Sequence, residues 1–150
     1  MEKEFINSVE KLLERDLNKL ETEINLYKSE ESIWIIDKDI KNSAGNLCLH
    51  LCGNLQNYIG GILGKTGYIR NREYEFAATG VSRALLLDQI QQTKVAVKST
   101  LQKLDPAAIN KEYEQQVLGY PMTTMYFLIH LTAHFEYHLG QVNYHRRLLS

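Results

Sequence analysis

The side chains in this sequence best suited to chemistry are its histidines. His130, His134, His138 and His145 stand at steps of four, four and seven in one run. At about 100° per residue they fall, together with Gln141, inside a sector of about 80° on a single helix. Phe127, Leu128, Leu131, Phe135, Leu139 and Val142 lie in and beside that sector. A polar stripe with apolar margins points inward or into a cleft. A second such stripe, Asn46, His50, Asn54 and Asn57, lies among Leu47, Leu49, Leu51, Leu55 and Ile59. Buried apart, the two stripes would strand donors and acceptors at roughly 1–3 kcal/mol each. Facing each other, they satisfy one another or bind something between them.

Two histidines one helical turn apart can hold a single ion. Neutral imidazole suits zinc, nickel, copper or iron(II). His134 and His138, joined by His50 from a facing helix, would supply three donors and leave a fourth position for water or substrate. The depths agree: at 1.5 Å per residue His50 lies about 12 Å along its helix and His134 about 17 Å along its own. On this reading Asn54, His130 and Gln141 are hydrogen-bonding neighbours of the ligands, and His145 is a rim residue. The alternative left open by spacing alone is a set of histidines that merely pair with buried carbonyls or hydroxyls.

Four helices must position these groups. Phe5, Val9, Leu12, Leu13, Leu17, Leu20 and Ile24 give the first a buried stripe between about Lys3 and Lys28. A connector, Ser29 to Asp39, carries the apolar patch Ile33 to Ile36. The second helix starts near Asn42 or Ser43 and ends in Gly60, Gly61 and Gly64. A loop, Lys65 to Val81, leads to a third helix from Ser82 to Leu104, stopped by Asp105-Pro106. A second connector, Ala107 to Pro121, precedes the last helix, about Thr123 to Leu149. The pattern predicts no strand. It predicts an all-α, antiparallel four-helix bundle in one domain, residues 1–150, with connectors long enough for a crossover topology.

Three stretches resemble the DinB/YfiT-like superfamily of bundle metalloproteins. These are Asn46 to Leu55 around His50, the loop Asn71 to Phe76, and His134-Phe135-Glu136-Tyr137-His138-Leu139-Gly140-Gln141-Val142. The last is similar to the family's His-x-x-x-His-x-Gly-Gln signature. The resemblance implies an up-down-down-up bundle, often a homodimer, with one divalent ion, commonly zinc or nickel, on His50, His134 and His138. Some relatives are thiol-dependent S-transferases that use bacillithiol, or isomerases that use mycothiol. Many members carry arginine where this chain has Leu139.

Other features narrow the field. Cys48 and Cys52 lie about 160° from His50 around the helix and read as small buried fillers. Gly60 to Thr66 lacks the first glycine of a phosphate loop and follows a helix. There is no Glu-x-x-His pair for a di-metal site, and no His-Glu-x-x-His. Arg72, Glu73 and Glu75 belong to the site mouth, to a dimer contact or to a solvated loop. Gly140 is read as allowing close helix approach. With 44% hydrophobic and 23% charged residues and a net charge of -1, the composition is that of a globular domain without a nucleic-acid footprint. The absence of a long apolar run argues against a membrane span and for a cytoplasmic address. The functional expectation is a metal-dependent enzyme that activates a small-molecule thiol towards an electrophile. Its rivals are a hydrolase using metal-bound water and a non-catalytic, metal-binding or stress-related dimer.

Overall fold

The computed structural model describes residues 1–150 and is all-helical. Helix α1, Glu2–Leu26, forms because Ile6, Val9, Leu13, Leu17, Leu20 and Ile24 recur at three- and four-residue steps and bury as one stripe. Leu12, expected in that stripe, lies at its edge and stays partly exposed. Helix α2, Ala44–Leu55, opens on Ser43, whose hydroxyl accepts the Asn46 N–H. Every residue of α2 is buried. Helix α4, Arg83–Lys103, is capped in the same way by Ser82, and α5, Thr124–Leu149, by Thr123.

Between the long elements lies more order than the sequence suggests. The glycines after α2 do not end the helix. Gln56–Leu63 continues it with π-type turns that include Gly60 and Gly61, and Gly64 follows as the cap. A Cβ on Gly64 would sit 2.3 Å from the Thr100 hydroxyl, so the glycine permits close approach to α4. The stretch expected as a plain loop, Lys65 to Val81, contains a fifth helix, α3, Arg72–Ala77, opened by the Asn71 side chain accepting the Tyr74 N–H. Three-ten turns occupy Glu31–Trp34 and Pro106–Asn110. One isolated antiparallel bridge, Glu112 with Thr123, closes the connector before α5 into a loop with a tethered base.

Helix α1 packs against α4 and α5, and α2 packs against the same two. One contiguous core joins the apolar stripes of all four. Trp34 lies across Gly45 of α2, where a Cβ would meet its ring at 2.5 Å, and its indole N–H donates to the Val81 carbonyl. The short α3 rides on α2. No helix is long and apolar enough to cross a membrane.

Candidate metal centre

Helices α2 and α5 bring His50, His134 and His138 together. One nitrogen from each ring lies within 4.8 Å of the other two, a set that could hold a metal ion. The Nε2 atoms of His50 and His134 are 3.2 Å apart. Two nitrogens each about 2.0–2.1 Å from a tetrahedral ion stand about 3.4 Å from one another, so this pair is already close to the spacing of shared ligands. His138 presents its ring edge-on to both, with centroids 5.3 Å from His50 and 4.6 Å from His134.

The protons on the far side of two rings are fixed by acceptors. Glu75 Oε1 lies 3.2 Å from His50 Nδ1, and Gln141 Oε1 lies 2.7 Å from His138 Nδ1. Each oxygen accepts an Nδ1–H and leaves an Nε2 lone pair for the centre, as metal-binding histidines require. Glu75 is only 4% exposed. Arg70 reaches it twice, Nε to Oε2 and Nη2 to Oε1, both 2.9 Å. Arg70 Nη2 also lies 3.2 Å from His50 Nδ1. A ring nitrogen that donates to Glu75 cannot accept from Arg70, and the carboxylate is the stronger partner. Burial pushes the Glu75 carboxyl up, but the bonds from His50 and Arg70 outweigh it and hold the group below its ordinary value.

The backbone is shaped for that carboxylate. A Cβ on Gly53 would come within 2.0 Å of Glu75 Oε2. Asn46, one turn before His50, donates to the carbonyls of Glu75 and Ala78 and pins α3 against α2. Part of the α2 polar stripe therefore serves α3, where the sequence suggested it would face α5.

His134 has no comfortable protonation state among protein groups. Its Nδ1 is buried without a partner. A proton there is an orphan donor, and the two Nε2 lone pairs then oppose each other. A proton on Nε2 satisfies His50 but strands Nδ1 as an acceptor. A cation between the Nε2 atoms removes the opposition of lone pairs, so the donor set fits an ion. Burial, then the neighbouring rings and Arg70, push the His134 imidazole down to about 4, and burial lowers His138 as well. Both rings are neutral near pH 7, the form that ligates.

The other singled-out residues divide. Gln141 touches a histidine of the trio. His130 makes no hydrogen bond to it; its ring stacks on Phe127 and lies 6.0 Å from His134 between centroids. Asn54 lines the adjoining cavity but makes no hydrogen bond to any of the three rings. His145 is no rim residue. It is 4% exposed, its Nδ1 accepts from the Tyr27 hydroxyl at 2.7 Å, and its Nε2–H donates to the Ile35 carbonyl at 2.9 Å. Gly140 approaches nothing within this chain: no atom lies within 4 Å of a Cβ placed there. Cys48 and Cys52 are free and buried, and the hydrogen bond from Cys52, with burial, raises the Cys48 thiol well above its ordinary value. Arg70 is the residue the sequence reading missed. For Glu75 the sequence offers a site mouth, a dimer contact or a solvated loop, and the structure places it behind His50. The available signal was Asn71 as a helix cap followed by acidic residues in the first turn.

Beside the trio opens a cavity of about 360 Å³, within the range of small-molecule sites. Asn54, Tyr58, Arg70, Arg72 and His130 supply its polar wall; Phe76, Val117, Phe127 and Leu131 supply the apolar one.

A family model described as "Protein of unknown function (DUF1572)" matches residues 1–150, so the chain belongs to that family. No curated protein matches it.

Proposed function

Starting from that membership, we propose that the chain is a single DinB/YfiT-like domain, an up-down-down-up four-helix bundle that holds one zinc or nickel ion on His50, His134 and His138 and acts as a cytoplasmic thiol S-transferase. The observation that carries the metal reading is the convergence of three imidazoles, two with Nε2 atoms 3.2 Å apart, on the wall of a cavity. Choice of a thiol rests on the resemblance of His134 to Val142 and of Asn46 to Leu55 to the superfamily. When bound, the ion supplies Lewis acidity that makes a thiol or a water acidic near neutral pH.

The chain's own part is positional. Glu75 and Gln141 orient two ligand rings, Arg70 keeps Glu75 ionised, and the apolar wall excludes water from the reacting partners. In the transfer, the thiol sulfur forms a bond to the electrophilic carbon, the leaving group departs with its bonding pair, and the thiol proton passes to solvent.

Pairing of two copies through the outward face of α5 belongs to the same reading. Tyr126, Ile129, Tyr137, Tyr144 and Leu148 are exposed along one side of that helix, with Ala133 and Gly140 between them.

Elemental analysis of protein purified without a histidine tag tests the centre. One ion per chain is expected in the wild type and almost none in His50→Ala or His134→Ala. Metal-loaded protein given bacillithiol and monochlorobimane should form the thioether faster than His50→Ala does. Turnover of esters or amides without thiol would instead assign a hydrolase, and tight metal binding with no acceleration would assign a structural or sensing role.

A further inference from the structure

The polar wall of the cavity beside the histidines is one-sided. It contains two guanidinium groups, from Arg70 and Arg72, the Tyr58 phenol and the amides of Asn42 and Asn54, and it contains no carboxylate. Glu75, the carboxylate behind His50, is already matched by Arg70. Arg72 is not matched: its guanidinium lies over the Phe76 ring, 5.1 Å from the centroid, and pairs with no acidic side chain. Asn54 adds an independent sign of a missing ligand. It is 7% exposed and lines the cavity, and its Nδ2 amide donates to no group of the chain, which leaves a donor for an acceptor in that space. A donor held unpaired in a largely buried place is costly unless a ligand or water accepts from it.

We infer that this cavity binds a small-molecule oxyanion, a carboxylate or phosphate carried by the substrate, with Arg72 and Asn54 as its recognition groups. The inference deepens the reading above and rests on it for the identity of the bound molecule as substrate. Imidazole ligands bring no negative charge to compensate a divalent ion, so an ion there would add to the pull of Arg72 on an anion. Guanidinium and amide N–H groups match the acceptor geometry of an oxyanion. Phe76, Val117 and Phe127 would hold the uncharged remainder of the molecule.

Calorimetric titration with succinate, inorganic phosphate and the neutral diamide succinamide tests this, on metal-loaded protein and on protein stripped of metal and dialysed. At least one anion should bind both forms, and succinamide neither; succinate against phosphate tells which acid group is preferred. Arg72→Met, at an exposed position with no ion pair to lose and with a side chain that can still cover Phe76, should weaken anion binding at least about tenfold, as loss of a charge-assisted hydrogen bond does. Asn54→Ser should weaken it in the same direction. Equal affinity of wild type and Arg72→Met overturns the inference, as does equal binding of succinamide. Anion binding that needs the ion and ignores both variants also overturns it, and leaves the metal reading standing. Anion binding to a protein that takes up no metal supports the inference while the metal reading fails.

Discussion

At the scale of residues, the centre is governed by what stands behind its histidines. An imidazole whose Nδ1–H meets an anion is a better donor at Nε2 and is held in one orientation. Glu75 does this for His50, and Arg70 makes the carboxylate affordable in a buried place. Replacing Glu75 by Gln keeps the shape and removes the charge. We expect metal affinity, measured by competition with a chromophoric chelator, to fall roughly 10–100-fold; an unchanged affinity would show the carboxylate to be idle. Gln141→Leu should produce a smaller loss through His138, because a neutral acceptor polarises the ring less. Proton binding gives a further prediction for the metal-free protein. His134 is held down to about 4 when folded, against an ordinary value of 6.5. Between those values the unfolded chain binds more protons, so stability present above pH 6.5 is lost as pH falls towards 4. The melting temperature of stripped protein should drop from pH 7.5 to pH 5, and His134→Gln should flatten that drop. A parallel drop in the variant would place the acid sensitivity elsewhere.

At the scale of elements, the site depends on how closely α3 seats on α2. Gly53 is the point of contact, since a Cβ there overlaps the Glu75 carboxylate. Gly→Ala inside a helix ordinarily stabilises it by about 1 kcal/mol. Here Gly53→Ala should do the opposite to function: Glu75 is displaced, and metal affinity falls about as far as in Glu75→Gln while helicity by circular dichroism stays unchanged. Wild-type affinity in Gly53→Ala would mean that α3 does not position the ring. This dependence explains which parts of the molecule were legible in the sequence. The long helices show through their apolar stripes, and the four-residue step from His134 to His138 shows one shared face. Helix α3 has six residues, too few for any periodicity to register, so Glu75 and Arg70 stayed hidden in a loop 20 to 25 positions from His50. The glycines of Gln56–Leu63 read as a stop because glycine is a poor helix former, yet close packing against α4 keeps the turns wound. His145 shares the angular sector of the other histidines, but it lies eleven residues beyond His134, about 17 Å along the axis. Angle alone places it in the site, whereas depth places it beside Tyr27.

At the scale of the whole molecule, α5 presents two distinct faces. The inner one carries the histidines; the outer one runs from Tyr126 to Leu148, about 33 Å at 1.5 Å per residue. Tyr126, Ile129, Ala133, Tyr137, Gly140, Tyr144 and Leu148 follow steps of three and four and fall within a sector of about 100°. None of these seven is charged, and Tyr137, near the middle, is 66% exposed; the one charge in the sector, Arg147, lies over the Tyr144 ring near the C-terminal end. An apolar band of this length, left to water, is a feature that monomers seldom keep. A like helix crossing in the opposite direction about a two-fold axis near Tyr137 would set Ala133 of one copy beside Gly140 of the other. Those small residues would allow the backbones to approach, and Gly140, which meets nothing within one chain, would then have a role between two. An isologous contact of this kind also makes each substitution count twice. Tyr137→Glu would therefore bring two like charges to the axis, and Ile129→Glu two more at the flanks. Light scattering behind size exclusion should report a dimer of the wild type and a monomer of either variant, with one metal ion per chain retained in each. The wild-type melting temperature should rise with protein concentration while that of the variants does not. A wild type that is monomeric at every concentration would leave the stripe without its partner and withdraw the two-fold arrangement, but it would not touch the three histidines, which all belong to one chain.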